Sequence, residues 1–164
     1  IYTMNNRAEA FWMKKGILGD TVPLELNAKE LVHRNNKNSE LTVYGYTPMM
    51  VSVQCVQKTM DHCNHACVQY VLKDRYQKEF RGVCSCEFCY NTIYNTLPTS
   101  LLKEKEKAEK LGVKAYRLSF TTETQQETEK IVRAFVDVYL RGQKPDGQMQ
   151  TEETTKGHFQ RGVE

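Results

Sequence analysis

The sequence is poor in the features that mark disordered and membrane-spanning chains. Its 164 residues include only four prolines, while 40% are apolar and 26% are charged, a composition that excludes intrinsic disorder and suffices for one packed domain. The longest apolar stretches, at 51–53 and 131–138, are short or broken by polar residues, whereas a membrane-spanning helix needs ~20 apolar residues. We therefore expect a soluble chain with no membrane partner.

Cysteine is absent from both ends of the sequence. All six thiols lie between Cys55 and Cys89, and nothing near the first residue resembles a secretory signal. A disulfide framework usually staples a secreted domain from several directions, so this local grouping predicts a reducing, cytoplasmic setting. The surplus of basic over acidic residues is also small, 23 − 20 = 3, and does not by itself indicate nucleic-acid binding. Because the chain begins at Ile1 without an initiator Met, we expect a piece of a longer protein.

Helical and strand-like patterns alternate along the chain. The predicted helices share apolar residues at helical spacing and a capping residue at one end or both. They are a helix over 6–15, one opened by Asn27 and Glu30, a Lys/Glu-rich one over 100–110, and one opened by Thr124 and Glu127 that ends at Gly142. Predicted strands, rich in β-branched and aromatic residues, cover 21–26, 41–46 and 113–120. This order predicts repeated βα units, with parallel strands and helices packed outside.

The fold predicted from this order is α/β, a partial TIM-like (β/α) barrel. A complete barrel takes ~250 residues, and only three strands with their helices are recognisable here. We assign 1–142 to the barrel and 143–164 to a polar tail, whose segment 157–159 indicates that its end packs back. A partial barrel leaves a parallel edge strand without a partner, which predicts self-association of the chain through its exposed edges.

The cysteine spacing predicts a metal or cluster site. Intervals of seven, three, sixteen, one and two residues separate, in order, Cys55, Cys63, Cys67, Cys84, Cys86 and Cys89. Groups of four thiolates hold zinc or an iron–sulfur cluster, and the ligands usually come from two short motifs that a hairpin brings together. Strand-like runs at 68–73 and 78–83 predict such a hairpin, which would return the last three cysteines toward the third.

Other interpretations of the cysteines remain open at this point. Some of them are explained equally well as buried small apolar residues, or as pairs that form disulfides on oxidation. His62 and His65 bracket Cys63 and are reserve ligands for a zinc site. A nucleophilic cysteine with His62 or His158 as its base is a further interpretation, although nothing identifies which thiol would be activated.

Several segments together resemble one known family. They are 44–52 (YGYTPMMVS), Cys55, 72–75 (LKDR), 86–95 (CEFCYNTIYN), 117–123 (RLSFTTE) and 156–163 (KGHFQRGV). These residues resemble peptidase family U32, the collagenase-like peptidases, over nearly the whole chain. The resemblance implies the C-terminal half of the family's catalytic TIM-like barrel, with a Cys-rich β-hairpin module inserted at about 52–96 and the N-terminal strands absent.

The resemblance implies two different activities. The family is named for peptidase activity, whereas better-understood members use four cysteines to hold a four-iron four-sulfur (4Fe-4S) cluster and hydroxylate RNA bases or quinone precursors without oxygen. Carried over to this chain, the cluster ligands are Cys55, Cys63 and Cys67 with either Cys89 or Cys86, and Cys84 is an extra thiol. Tyr46 departs from the family, in which many members carry Arg after the glycine, so the resemblance does not imply binding of an anionic substrate at that position.

Candidate catalytic residues follow from the expected barrel, because chemistry in such barrels sits at the C-terminal ends of the strands. By this rule, the residues near the mouth of the barrel are Glu25, Tyr44, Tyr46, Arg117 and Glu123. His158 is a further candidate. Four of these residues also have a structural explanation. Glu25 and Arg117 also suit an inward ion pair, Glu123 a charge at a helix N-terminus, and His158 a packing role.

The leading hypothesis is a fragment of an iron–sulfur enzyme that modifies RNA or a small molecule, with Cys55, Cys63, Cys67 and Cys89 as the ligands. One alternative is a hydrolase that cleaves collagen-like peptides by a zinc-bound water or an activated thiol. The other is a structural zinc clip that serves interaction, since closed four-thiolate sites behave in that way. Because the mouth of the barrel is incomplete, we expect the fragment to be catalytically inactive.

Overall fold

The computed structural model describes residues 1–61, 63–145 and 153–161. These residues contain two four-stranded sheets and five α-helices. The strands are β1 (Asp20–Thr21), β2 (Ser39–Gly45), β3 (Pro48–Ser52), β4 (Gln69–Lys73), β5 (Glu79–Ser85), β6 (Tyr90–Tyr94), β7 (Thr99–Ser100) and β8 (Ala115–Ser119). The helices are α1 (Asn6–Lys14), α2 (Ala28–Val32), α3 (Val56–Thr59), α4 (Lys105–Lys110) and α5 (Gln125–Phe135), with 3₁₀ turns at Leu102–Glu104 and Gly157–Phe159 and a π-helical turn at Val136–Leu140. None of the helices in the described part of the chain has the length and apolar character needed to cross a membrane.

The first sheet, called here the mixed sheet, contains the predicted parallel strands. Strand β2 is parallel to both of its partners β1 and β8, and its C-terminal end forms an antiparallel pair with β7. A bulge lies between Thr42 and Tyr44, and Gly45 follows with a φ of +153°, where an added Cβ would lie 2.7 Å from the carbonyl oxygen of Ser119. Gly45 therefore marks a close backbone approach between β2 and β8. The described strands form a mixed α/β fold and close no barrel.

The main core lies between the mixed sheet and its helices. Leu41 and Val43 of β2 are buried against Leu31 of α2 and the segment that leads into α4, while α5 adds Phe135 and its π-helical continuation adds Val138. Both predicted capping boxes are present, Asn27 with Glu30 and Thr124 with Glu127, so the sequence signals correctly mark where α2 and α5 begin.

Part of the predicted tail joins this core. Thr155 bridges to Thr99 of β7, its carbonyl oxygen accepts a hydrogen bond of 2.8 Å from the Ser100 amide, and Phe159 is buried in the core cluster. Lys156 also forms an ion pair with Glu104. The segment 153–161 therefore packs back on the domain, as predicted from 157–159, and residues 146–152 and 162–164 of the tail lie outside the described ranges.

A buried polar network closes the N-terminal end of the mixed sheet. Asp20, the first residue of β1, pairs with Arg34, and the side-chain exposures are 1% and 3%. The guanidinium also donates to the Thr3 carbonyl oxygen at 3.0 Å, to Asn36 Oδ1 at 2.8 Å and to Ser39 Oγ at 3.0 Å. The network joins the first residues of the chain to α2 and to the starts of β1 and β2.

Several sequence predictions differ from the structure. The strand predicted over 21–26 ends at Thr21, because Pro23 has no amide hydrogen with which to extend the ladder, and the Val22 amide makes the last bond, to the Glu40 carbonyl. The helix predicted over 100–110 starts later, as a 3₁₀ turn followed by α4. Strands β3, β6 and β7 were not predicted.

Candidate metal centre in the cysteine-rich sheet

The cysteines lie in the second sheet, called here the cysteine-rich sheet. Its strands are all antiparallel in the order β3-β6-β5-β4, and it spans 48–94, close to the predicted insertion at about 52–96. The predicted hairpin is confirmed as β4 and β5, whose turn is held by Asp74. The Asp74 carboxylate accepts hydrogen bonds from the amides of Tyr76 and Lys78, at 2.7 and 2.9 Å.

Three buried thiols from two segments of the chain meet beneath this sheet. Cys55 precedes α3, Cys84 lies in β5 with no exposed surface, and Cys86 follows β5. The Sγ atom of Cys84 lies 3.6 Å from Cys55 Sγ and 3.4 Å from Cys86 Sγ, and Cys86 Sγ donates to the Ala66 carbonyl oxygen at 2.7 Å. All three are free thiols. They form a row with Cys84 at its centre, and we call this row the thiol cluster.

The thiols of the cluster differ in acidity. The amide of Lys58, in the first turn of α3, holds the pKa of Cys55 below its ordinary value, against the opposing effect of burial. Burial raises the pKa of Cys84 to about 12, and its hydrogen bonds with the Cys86 and Cys55 thiols act in the same direction. Cys55 is therefore readier than Cys84 to become the thiolate that binds a metal.

The other three cysteines are exposed. Cys63 and Cys67 lie in the loop between α3 and β4, and Cys89 closes the β5–β6 turn with a φ of +53° and its Sγ 3.7 Å from the Cys86 carbonyl oxygen. Within the described ranges, no group of three or more His, Cys, Asp and Glu side chains is arranged to hold a metal ion. Of the reserve ligands, His65 is exposed and His62 lies outside the described residues.

The sulfur spacing distinguishes between types of centre. A tetrahedral zinc ion with Zn–S bonds of about 2.3 Å separates its thiolates by roughly 3.8 Å. The distances of 3.6 and 3.4 Å in the thiol cluster are close to that value. A four-iron cluster binds each thiolate through a different iron, so its ligands lie further apart. The donors are of the soft kind that both centres require. Each of the two spacings matches a pair of ligands on a single ion, but three thiols in a row do not form the corner positions of one tetrahedron.

The residues predicted near a barrel mouth have other roles in the structure. Arg117 pairs with Glu40 at 2.6 Å, whereas Glu25 is exposed and makes no ion pair among the described residues, so the structural alternative of an inward ion pair between Glu25 and Arg117 is wrong. Glu123 accepts hydrogen bonds from the amides of Thr121 and Thr122, at 2.6 and 2.9 Å, just before α5. This arrangement matches the structural alternative for Glu123.

The remaining candidates lie on different elements. Tyr44 is buried against Phe120, with ring centroids 5.5 Å apart, and Tyr46 lies under the guanidinium of Arg81 at 4.8 Å from its ring centroid. His158 is exposed in the 3₁₀ turn of the C-terminal segment. These positions place Tyr44 in the core, while Tyr46 lies where β2 leads into the cysteine-rich sheet.

Sequence reasoning did not identify the central role of Cys84. The signal was present, because side chains two residues apart in a strand share a face, and Cys84 and Cys86 are separated by one residue at the end of a predicted strand. Tyr70, which packs against the thiol cluster, and Asn91, which pairs with Cys84 across β5 and β6, were not identified either. Their roles depend on strand register, which was not predicted for β6.

No protein-family model, curated protein or solved structure matches this chain.

Proposed function

We propose that this chain is part of an iron–sulfur enzyme of the peptidase U32 type, which works in a reducing, cytoplasmic setting and modifies RNA or a small molecule without oxygen. The observation that carries the proposal is the thiol cluster. It brings Cys55, which the family resemblance implies as a ligand, and Cys86, the alternative to Cys89 as the fourth ligand, to either side of the buried Cys84. Three further thiols lie on the loops of the same sheet.

The arrangement of the mixed sheet supports a partial barrel. Parallel strands β1, β2 and β8 with helices between them are the units from which a (β/α) barrel is built. Among the described strands, β8 pairs with β2 alone, so its other edge is open to further strands. The cysteine-rich sheet is inserted between β2 and β7, which pair with each other, and so lies just beyond the C-terminal end of β2. Active sites in such barrels lie at that end.

The residues of the chain divide into two groups with respect to the cofactor. Cys55 and Cys86 are already inside the module, and the candidates for the remaining ligands are Cys63, Cys67 and Cys89 on the neighbouring loops. The ring of Tyr70 packs against the thiol cluster. A cluster bound there would supply electron transfer, with a potential set by burial and by hydrogen bonds to sulfur.

Cysteine variants test the proposal. We would purify the chain without oxygen and compare iron and acid-labile sulfide in the wild type, Cys55→Ser and Cys63→Ser, with Ser85→Ala as a control in the same strand as Cys84. The two ligand variants should lose most of the iron while the control keeps it. Unchanged iron in both ligand variants, with circular dichroism showing that they are folded, would overturn the ligand assignment.

A structural zinc site is the second candidate, and the sulfur spacing favours it. Each of the distances of 3.6 and 3.4 Å suits a pair of ligands on one tetrahedral ion, as described above. In this case the same preparation would be colourless and contain zinc without sulfide, and Cys84→Ser would lower the zinc content along with Cys55→Ser. An iron–sulfur protein would be brown, so the two candidates are distinguished before any variant is made.

A further inference from the structure

The thiol cluster contains two sulfur pairs that are close enough to form a disulfide after a small movement. The sulfur of Cys84 lies 3.6 Å from that of Cys55 and 3.4 Å from that of Cys86, and all three thiols are free. A disulfide bond is about 2.05 Å long, so either pair has to close by roughly 1.5 Å. Because Cys84 belongs to both pairs, oxidation joins it to one neighbour and leaves the other as a thiol.

The backbone opposes a bond between Cys84 and Cys86. Cys84 belongs to β5, and Cys86 follows it two positions later, just beyond the end of the strand. Residues two apart in an extended strand have nearly parallel side chains with Cβ atoms about 6.5 Å apart, whereas a disulfide needs Cβ atoms within about 4.5 Å. A bond between these two residues would therefore bend the end of β5, where Cys84 and Ser85 are still paired with β6.

Cys55 is under no such constraint. It lies 29 positions before Cys84, on a separate segment, at the residue that precedes α3. Its side chain makes no capping hydrogen bond to that helix. Turning the Cys55 sulfur toward Cys84 therefore breaks neither a strand pair nor a helix cap.

Exposure and hydrogen bonding also distinguish the three thiols. Cys84 is 0% exposed, whereas Cys55 is 8% exposed and Cys86 9% exposed. The Cys86 thiol donates its hydrogen to the Ala66 carbonyl oxygen at 2.7 Å, and a thiol that keeps its proton is a poor nucleophile. A small oxidant therefore reacts first with Cys55, and the buried Cys84 is placed to complete the bond.

We propose that Cys55 and Cys84 are a redox pair, which hydrogen peroxide oxidises to a disulfide in the metal-free chain while Cys86 stays a free thiol. The sulfur of Cys55 attacks one peroxide oxygen, the O–O bond breaks, and the products are a sulfenic acid and one water. The thiol of Cys84 then attacks the Cys55 sulfur, the S–O bond breaks, and a second water leaves with the Cys84 proton. The two thiols lose two electrons, and one peroxide gains them.

The disulfide withholds Cys55 from the metal centre. Metals bind cysteine as the thiolate, and a sulfur in a disulfide has no such charge to offer. This consequence rests on the proposed function, in which Cys55 is a ligand, whereas the disulfide itself forms without a metal. The thiol cluster thus makes metal loading dependent on the redox state of the chain.

Mapping the disulfide tests the pair directly. Serine at the three exposed cysteines, Cys63, Cys67 and Cys89, gives a full-length background chain that keeps only the thiol cluster. We would treat this chain, reduced and metal-free, with an equimolar amount of hydrogen peroxide, block the remaining thiols with N-ethylmaleimide and identify linked peptides by mass spectrometry. Cys55 should be joined to Cys84, and the maleimide should be on the third thiol. A free Cys55, or a main product that joins the two cysteines flanking Ser85, would overturn the proposal.

Two variants of the background chain separate the members of the row. Cys84→Ala should lower the disulfide yield at least about tenfold, because the sulfurs of Cys55 and Cys86 lie at opposite ends of the row and lack the proximity that speeds the reaction. The matched control, Cys86→Ala, should keep the yield. The opposite pattern would contradict the proposal. Treating the background chain in concentrated urea removes any dependence on variant folding, and an unchanged preference for the pair there would show that the fold does not set it.

Zinc uptake by the natural chain tests the consequence separately, since thiolates bind zinc in either type of centre. The reduced chain should bind zinc, and the peroxide-treated chain should bind little until a thiol reductant is added. Cys84→Ala controls for oxidation of the exposed cysteines and should keep the uptake that it had before treatment. Equal uptake by the reduced and disulfide-bonded natural chains would overturn the control of metal loading. A reduced chain that binds no metal would contradict the proposed function, while the linkage map still decides the pair.

Discussion

Replacing Arg34 by Met should destabilise the chain far more than the loss of an ordinary ion pair. Arg34 and Asp20 are almost completely buried, with side-chain exposures of 3% and 1%. The guanidinium also holds Asn36 and Ser39 through hydrogen bonds of 2.8 and 3.0 Å. In Arg34→Met the Asp20 carboxylate stays buried without its counter-charge, and breaking a buried pair in this way costs about 3–5 kcal/mol.

Urea denaturation followed by circular dichroism measures the loss. A domain of this kind has a total stability of about 5–15 kcal/mol, so Arg34→Met should lose about a fifth of it or more. With a denaturant slope of about 1–3 kcal/mol/M, the midpoint should fall by at least about 1 M. The matched control is Arg133→Met, which removes an exposed ion pair with Glu129, at side-chain exposures of 75% and 58%, and should cost less than about 0.5 kcal/mol.

A double variant separates the lost pair from the buried charge left behind. Asp20→Asn combined with Arg34→Met removes both charges and should recover part of the stability that Arg34→Met loses. A loss of less than about 1 kcal/mol in Arg34→Met, in the range of ordinary surface substitutions, would refute the network as a stabilising element. A double variant less stable than Arg34→Met would show that the buried carboxylate is not the source of the loss.

Three further predictions concern the thiols, the C-terminal segment and the edges of the sheets. In the metal-free folded chain, iodoacetamide near neutral pH should modify the three exposed cysteines well before the thiol cluster, and equal rates by mass spectrometry would contradict the described burial. Glu104 is buried, but hydrogen bonds from Lys107 and Lys156 outweigh the effect of burial and lower the pKa of its carboxyl group. The stability that the ionised carboxylate contributes is therefore present above the ordinary pKa of 4.5, and it is lost as the pH falls through the lower pKa of the folded state. Glu104→Gln should therefore flatten the fall of Tm below pH 4.5, and an unchanged pH profile would be evidence against this role. Finally, light scattering at tens of micromolar should show self-association through the open edge of β8, and a monodisperse monomer would count against it.

Local signals predicted much of the mixed sheet and its helices. The capping boxes at Asn27 and Thr124 mark true helix starts, and the alternation over 113–120 corresponds to β8. The sequence overstated the first strand, because Pro23 is buried and Leu26 packs against the core although neither belongs to a strand. Burial and strand pairing both select apolar residues, so composition alone does not separate them.

The candidate site was predicted in outline and missed in detail. The cysteine spacing predicted that the hairpin would return the last three cysteines toward Cys67, whereas the thiols that contact Cys84 are those of Cys55 and Cys86, and Cys67 is exposed. The central position of Cys84 and the partner of Arg117 both depend on strand register and tertiary contacts. Cys55 and Cys84 are 29 positions apart, and Arg117 and Glu40 are 117 − 40 = 77 apart, so no local pattern encodes these two contacts.

Iron and acid-labile sulfide per chain, measured after purification without oxygen, test the central claim most directly. The account predicts about four of each, with a brown preparation. A folded chain that binds zinc without sulfide, or neither metal, when offered both iron and zinc under reducing conditions would contradict the claim that the cysteine-rich sheet holds an iron–sulfur cluster.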